Sequence, residues 1–138
     1  MTPEELAEEF TYLEDWEQRY AYIIDLGRGL AAMEPDQRVD AALVPGCLSR
    51  VWLHATVVHH DGRDELVLSA DSDAHITKGL VAIALLLFNG QTPAEVLAVD
   101  LDGFFERLDL GGHVSVNRRN GFYSMIGRIR ALAEAHVH

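Results

Sequence analysis

The stretch SRVWLHATVVHHDGRDELVLSADSDAHITKGLVAIALLLF, residues 49–88, decides the fold. Its first ten residues are rich in β-branched and aromatic side chains, which suit a pleated, half-buried surface. Asp61-Gly62 is a tight-turn signal. The run ELVLSA (65–70) then pairs back, so 49–70 is predicted to be an antiparallel hairpin with a slightly long turn. Asp71, Ser72 and Asp73 follow, and any of them can cap a helix. That helix is predicted from about Ala74 to Phe88, where Asn89-Gly90 ends it. The apolar run GLVAIALLLF (79–88) is ten residues long, about half of what a membrane span needs, and reads as a buried helix.

Upstream, Thr2-Pro3-Glu4-Glu5 is a helix start, with a Thr cap, Pro in the first turn and Glu three residues after the cap. This helix is predicted to reach about Leu13. Asp15 opens a second, with Gln18 in the capping-box position. Its apolar positions Trp16, Tyr20, Ile23, Ile24, Leu26 and Leu30 recur at helical spacing, and it is predicted to end near Met33. Residues 34–48 read as a loop punctuated by Pro35, Pro45 and Gly46. Downstream, Thr92-Pro93-Ala94-Glu95 repeats the helix-start pattern. DGFFERLDL (102–110) is a further short helical piece ending at Gly111-Gly112. The last helix is predicted from Ser115–Asn117 to about Ala135, with Met125, Ile126, Ile129 and Leu132 as its inner stripe. The expected architecture is α+β, a small antiparallel sheet (the central hairpin) covered by helices, in one domain spanning residues 1–138.

Composition narrows the function. Of 138 residues, 49% are hydrophobic and 24% charged, as in a globular rather than a disordered chain. The net charge is −11, which repels phosphate backbones and argues against nucleic acid as a partner. Residues 1–18 carry seven acidic residues and no Lys or Arg: a solvated acidic face, or a docking surface for a partner of opposite charge. The acidic N-terminus has no apolar signal region, so the expected compartment is the cytoplasm, with no membrane partner.

The single cysteine, Cys47, follows Pro45-Gly46 and precedes the first strand. One cysteine cannot form an intramolecular disulfide or supply a cysteine-rich metal site. A lone cysteine is most often a small buried hydrophobe, but a thiol at a loop tip can be presented to another molecule. Gly46, without a side chain, lets a second backbone approach. Thiol catalysis needs a base or a positive field, for which His54, His59, His60, His75, His113, Arg50, Arg118 and Arg119 are candidates. The histidines on the hairpin turn (His59, His60) and at the C-terminus (His136, His138) lack metal-ligand spacing, and no metal site is expected. Arg118 and Arg119 fall in the first turn of the last helix, where the helix dipole is already positive. They reach solvent there or meet an anion.

Five blocks, DWEQRYAYIIDLG (15–27), VPGCLSRVWL (44–53), ADSDAHITKGLVAI (70–83), QTPAEVLAVD (91–100) and FFERLDLGGHVSVNRRNGFYSMIGRIRA (104–131), together resemble the SufE family over nearly the whole chain. The GC-x-S-x-VW and DSDA-x-x-x-KGL blocks carry the most weight. The chain departs from the family at the turn HHDGRDE (59–65) and at SVNRRNG (115–121), where the family more often has Pro after the cap residue. The resemblance implies a fold like that of IscU-type scaffolds and a sulfur acceptor for a pyridoxal-phosphate cysteine desulfurase of the SufS type. The acceptor takes persulfide sulfur by transpersulfidation, stimulates the desulfurase, and passes sulfur to a SufBCD-type iron–sulfur cluster scaffold. It places the acceptor on Cys47, with Gly46, Ser49, Asp73, His113 and Arg118 supporting it or engaging the partner. Asp73 would help set the resting position of the cysteine loop.

The resemblance implies no cofactor on this chain, since the pyridoxal phosphate belongs to the desulfurase, and a monomer or homodimer. The alternatives are a cysteine-nucleophile hydrolase, which needs a His within hydrogen-bond reach of Cys47, a paralogous sulfur carrier feeding a different pathway, or an interaction domain in which Cys47 only packs.

Overall fold

The computed structural model describes residues 1–45, 49–110 and 114–137, with the backbone alone at 116–118. In chain order the helices are α1 (Pro3–Thr11), α2 (Trp16–Arg28), α3 (His75–Phe88), α4 (Pro93–Ala98), α5 (Leu101–Leu108) and α6 (Val116–His136). Between α2 and α3 run a 3-10 turn (Asp40–Ala42) and two strands, β1 (Val51–His60) and β2 (Arg63–Ser72). The strands form one antiparallel pair, with register from Val51 opposite Ser72 to His60 opposite Arg63. The α+β architecture expected from the sequence is therefore the one observed.

The second strand is longer and the turn tighter than expected. Asp61 and Gly62 both take positive φ (51° and 79°), the two-residue turn whose twist matches that of the flanking strands. Such a turn keeps the ladder in register to its last pair, so polar residues stay paired. His59 Nδ1 lies 3.0 Å from Asp64 Oδ1 directly across the strands.

One face of the hairpin packs on α3 and α6, the most apolar and the longest helices. The core between them holds Leu66, Leu68, Leu80, Ile83, Phe88, Met125 and Ile129, joined by Leu6 and Phe10 of α1 and Ile23 of α2. Each such side chain, withdrawn from water, contributes about 1.5–3 kcal/mol. Leu132 packs at the edge of this cluster, so the inner stripe of α6 is the predicted one. Asn89 and Gly90 turn the end of α3 back onto β2. Leu68 N donates to Asn89 Oδ1 (2.9 Å), and Gly90 N donates to Leu66 O (2.8 Å).

Three helix ends differ from the sequence expectation. Helix α2 stops at Arg28 rather than near Met33. Gly29 caps it, donating to Asp25 O and Leu26 O, and the chain then leaves to place Leu30 and Met33 in separate contacts. Helix α5 stops at Leu108, before Gly111-Gly112, because Asp109 adopts the left-handed conformation (φ 56°) that closes a helix. Helix α3 has Ala74 at its cap position and no side-chain cap, since Asp71 and Asp73 are bonded elsewhere. Ser72 Oγ accepts only from Ala74 N, at 3.3 Å.

Helix α4 has the predicted capping box, Thr92 Oγ1 accepting from Glu95 N and Glu95 Oε1 accepting from Thr92 N. Arg63 of β2 joins it at 2.7 Å from Glu95 Oε1. The hydrogen bonds with Thr92, reinforced by Arg63, hold the Glu95 carboxyl below its usual range. A lowered folded-state pKa contributes stability above the unfolded value, and that contribution fades as pH falls through the folded one. Thr92→Ala is expected to cost about 1 kcal/mol in denaturant titrations. Glu95→Gln is expected to flatten the acid side of the melting-temperature profile. Superimposable acid limbs for wild type and Glu95→Gln would contradict that assignment.

Candidate functional site at the base of the 45–50 loop

Cys47, Gly46 and His113 lie outside the described residues, as does the Arg118 side chain, whose backbone is in the first turn of α6. The structure does describe how the segment that carries Cys47 is fastened at both ends. On one side, Val44 N donates to Val51 O (2.8 Å), and Leu43 forms an antiparallel bridge with Trp52. On the other, Arg50 is held by the last residue of β2 and the residue after it. Its amide donates to Asp73 Oδ1 (3.0 Å) and its carbonyl accepts from Ser72 Oγ (2.8 Å) and Asp73 N (3.3 Å). Its guanidinium Nε sits 3.3 Å from Asp73 Oδ2. Asp73 thus braces the exit of the loop rather than capping α3. Ser49, between Arg50 and the loop, is half-buried.

The residues around this base form an ionic cluster. Asp71, its side chain 17% exposed, accepts from Arg38 Nε (3.1 Å) and pairs with Lys78 Nζ (3.3 Å). Arg38 also lies over the ring of the buried Trp52, its guanidinium carbon 3.8 Å from the ring centroid, with Arg50 at 5.6 Å from the same ring. Three cations, Arg38, Arg50 and Lys78, thus meet two carboxylates, Asp71 and Asp73, in a chain whose net charge is −11. Their excess charge favours a partner's carboxylate at this surface. From α6, Arg128 Nη1 donates to Leu43 O (3.3 Å), so the last helix also holds the loop's entry.

Sequence reading missed Arg38, Asp71, Trp52 and Lys78 as parts of this site. Arg38 stands in a stretch with no periodicity, and its stacking on Trp52 joins residues far apart in sequence. The histidines weighed as bases fall elsewhere. His54 is half-buried on β1, His59 and His60 are exposed at the hairpin tip, and His75 is exposed at the start of α3. His136 bonds to Leu132 O within α6 (2.9 Å). Arg119 is half-buried, and its Nε has no hydrogen-bond partner among the described residues. Also among the described residues, no three His, Asp or Glu side chains are grouped to hold a metal, and no helix is long and apolar enough to cross a membrane.

The fold recurs in a known protein. A solution structure of a hypothetical protein from Thermus thermophilus superposes with a TM-score of 0.75, covering 98% of this chain and 97% of that one at 20% identity, which establishes the common fold. An uncharacterised SufE-like protein of Rhizobium meliloti (strain 1021) is 40% identical over 137 residues, 97% of this chain and 96% of the relative. A second SufE-like protein, from Rhizobium etli, is 39% identical over 97% of this chain and 90% of its own length. Residues 4–133 match the SufE family, described as an Fe-S metabolism associated domain. With a family match across nearly its whole length and relatives at this identity, the chain belongs to the SufE family.

Proposed function

We propose that this chain accepts sulfur on Cys47 from the persulfide of a pyridoxal-phosphate cysteine desulfurase of the SufS type, stimulates that enzyme, and delivers the sulfur to a SufBCD-type iron–sulfur cluster scaffold. One observation carries the reading. The only cysteine of a SufE-family chain falls in a short segment fastened at both ends, by Val44 to Val51 and by Arg50 to Asp73. A thiol that visits another protein's active site needs such a tether, short enough to aim it.

The chemistry needs few groups. The Cys47 thiolate attacks the outer, protonated sulfur of the donor persulfide. A new S–S bond forms to Cys47, the donor S–S bond breaks, and the donor cysteine leaves as thiolate. The proton stays on the transferred sulfur, and nothing is oxidised or reduced overall. A single cysteine suits this, because a second one nearby would resolve the persulfide into a disulfide and release the sulfur. No base on this chain is required if the partner's site supplies the activating charge. The Cys47 thiol is then expected to titrate at an ordinary or raised pH in the free protein and lower on docking. Asp73 sets the resting position of the loop through Arg50, while Gly46, Ser49, His113 and Arg118 support the loop or engage the partner.

The deciding experiment mixes the protein with a SufS-type desulfurase, pyridoxal phosphate and cysteine, and weighs the chain intact. A gain of one sulfur atom at Cys47, reversed by reductant, is the expected result. No gain under turnover would sink the proposal.

A further inference from the structure

Three arginines among the described residues, Arg19, Arg119 and Arg130, carry a buried Nε with no hydrogen-bond partner. Two of them are held through other atoms. Arg19 Nη2 donates to Phe10 O and Leu13 O (both 3.4 Å), and its guanidinium carbon lies 5.2 Å from the Trp16 ring centroid. Arg130 Nη2 donates to Val99 O (3.2 Å). Arg119 is half-buried near the start of α6, and its side chain makes no hydrogen bond or ion pair among the described residues. About one turn further on, the Tyr123 hydroxyl donates to Asp102 Oδ1 of α5 (3.2 Å). Burial, and then the bond and charge of Asp102, push that phenol above its usual range, while Arg119 and Arg130 pull it back, so all four groups share one neighbourhood. We propose that Arg119 is a docking contact, the seat for an Asp or Glu side chain of the desulfurase. The proposal rests on this chain working with such an enzyme.

A guanidinium with its Nε out of water and no partner lowers the stability of the free chain. Its position adds to that cost, since the first turn of a helix already presents positive charge. Asp102 does not relieve it. That carboxylate is taken by Tyr123 and forms no ion pair with Arg119 or Arg130 among the described residues. An acidic side chain from a docking protein meets both needs. It accepts from the forked donors of the guanidinium and is favoured by the helix dipole. A net charge of −11 repels carboxylates over most of this protein's surface, so the local cations at Arg119 and Arg130 fix the register of an acidic segment that docks here. Stability of the free chain and affinity for the partner therefore move in opposite directions when Arg119 loses its charge.

The test uses the full chain carrying Arg119→Met, which keeps an apolar stem and removes the charge. Urea titration of the free variant is expected to move the midpoint upward. Calorimetric titration into a SufS-type desulfurase loaded with pyridoxal phosphate is expected to give a Kd about fivefold or more above that of the wild type, and Arg119→Glu a higher one still. Arg28→Met changes the net charge equally but removes an exposed arginine already paired with Asp25, and is expected to bind as the wild type does. A Kd for Arg119→Met within about twofold of the wild type overturns the proposal. So does an equal loss in Arg28→Met, which means that only net charge is read. A urea midpoint at or below that of the wild type overturns it too, because the free chain then already supplies the guanidinium with a partner. Sulfur gain at Cys47 is weighed in the same samples. A wild type that binds the desulfurase but gains no sulfur counts against the acceptor reading alone, and one that does not bind takes both readings down. Sulfur gain by the wild type, with unaltered binding by Arg119→Met, removes the docking contact alone.

Discussion

Cys47→Ser is expected to gain no sulfur from a working desulfurase and to lose the stimulation of that enzyme completely. The substitution is nearly isosteric, but an alcohol is not ionised at neutral pH and an S–O bond does not substitute for the S–S bond of a persulfide. The loss is absolute rather than partial because no other cysteine exists in the sequence to take over. Cysteine consumption and alanine release by the desulfurase, measured with wild type and Cys47→Ser at matched concentrations, separate two roles. Loss of both sulfur gain and stimulation means that the acceptor thiol itself drives turnover. Full stimulation by Cys47→Ser would make the chain an interaction domain in which the cysteine only packs. Hydrolysis of a thioester or peptide by the wild type without any partner would instead favour the hydrolase alternative.

Gly79→Ala is expected to be the most destabilising single methyl that can be added to a helix in this protein. By intrinsic propensity the change should help by about 1 kcal/mol, since alanine is the best helix former and glycine among the worst. Packing decides otherwise. A Cβ on Gly79 would overlap the carbonyl and side chain of Ile23 on α2, and one on Gly27 would come within 2.8 Å of Gly79 N. The two glycines let α2 and α3 cross nearly backbone to backbone, and backbone cannot step aside as a flexible side chain can. Overpacking of this kind costs about 1–3 kcal/mol or more, which outweighs the propensity gain. The control is Gly127→Ala in α6, where a Cβ meets nothing within 4 Å. There the propensity gain stands alone, and stability is expected to rise by up to about 1 kcal/mol. Urea titrations of the two variants should move the midpoint in opposite directions. Equal shifts of the same sign would mean that the α2–α3 crossing is not the constraint.

The Gly79 result bears on function because α3 carries Lys78 beside Asp71, and its approach segment carries Ser72 and Asp73. Separating α2 from α3 would displace the group of residues that fastens Arg50. The same segment shows where local signals mislead. Asp71, Ser72 and Asp73 have the composition of a helix cap, yet Asp71 and Asp73 are turned onto two arginines of the chain that precedes β1. A carboxylate beside a helix start has two attractive partners, backbone amides and side-chain cations. Which one wins depends on where residues 38 and 50 come to lie.

The amino-acid sequence by itself determined the order and type of the elements, the hairpin around Asp61-Gly62, the inner stripe of α6, both Thr-Pro helix starts and the family. These rest on interactions within a few residues of one another, or on motifs that survive as written. The tertiary structure alone decided where α2 and α5 stop, that the DSD segment braces a loop instead of capping a helix, and that Arg38, Trp52, Asp71 and Lys78 meet at the base of that loop. Those contacts join positions up to 33 residues apart. Their energies depend on distances that no local pattern encodes, so they come into being only when the hairpin, the loop before it and α3 have packed together.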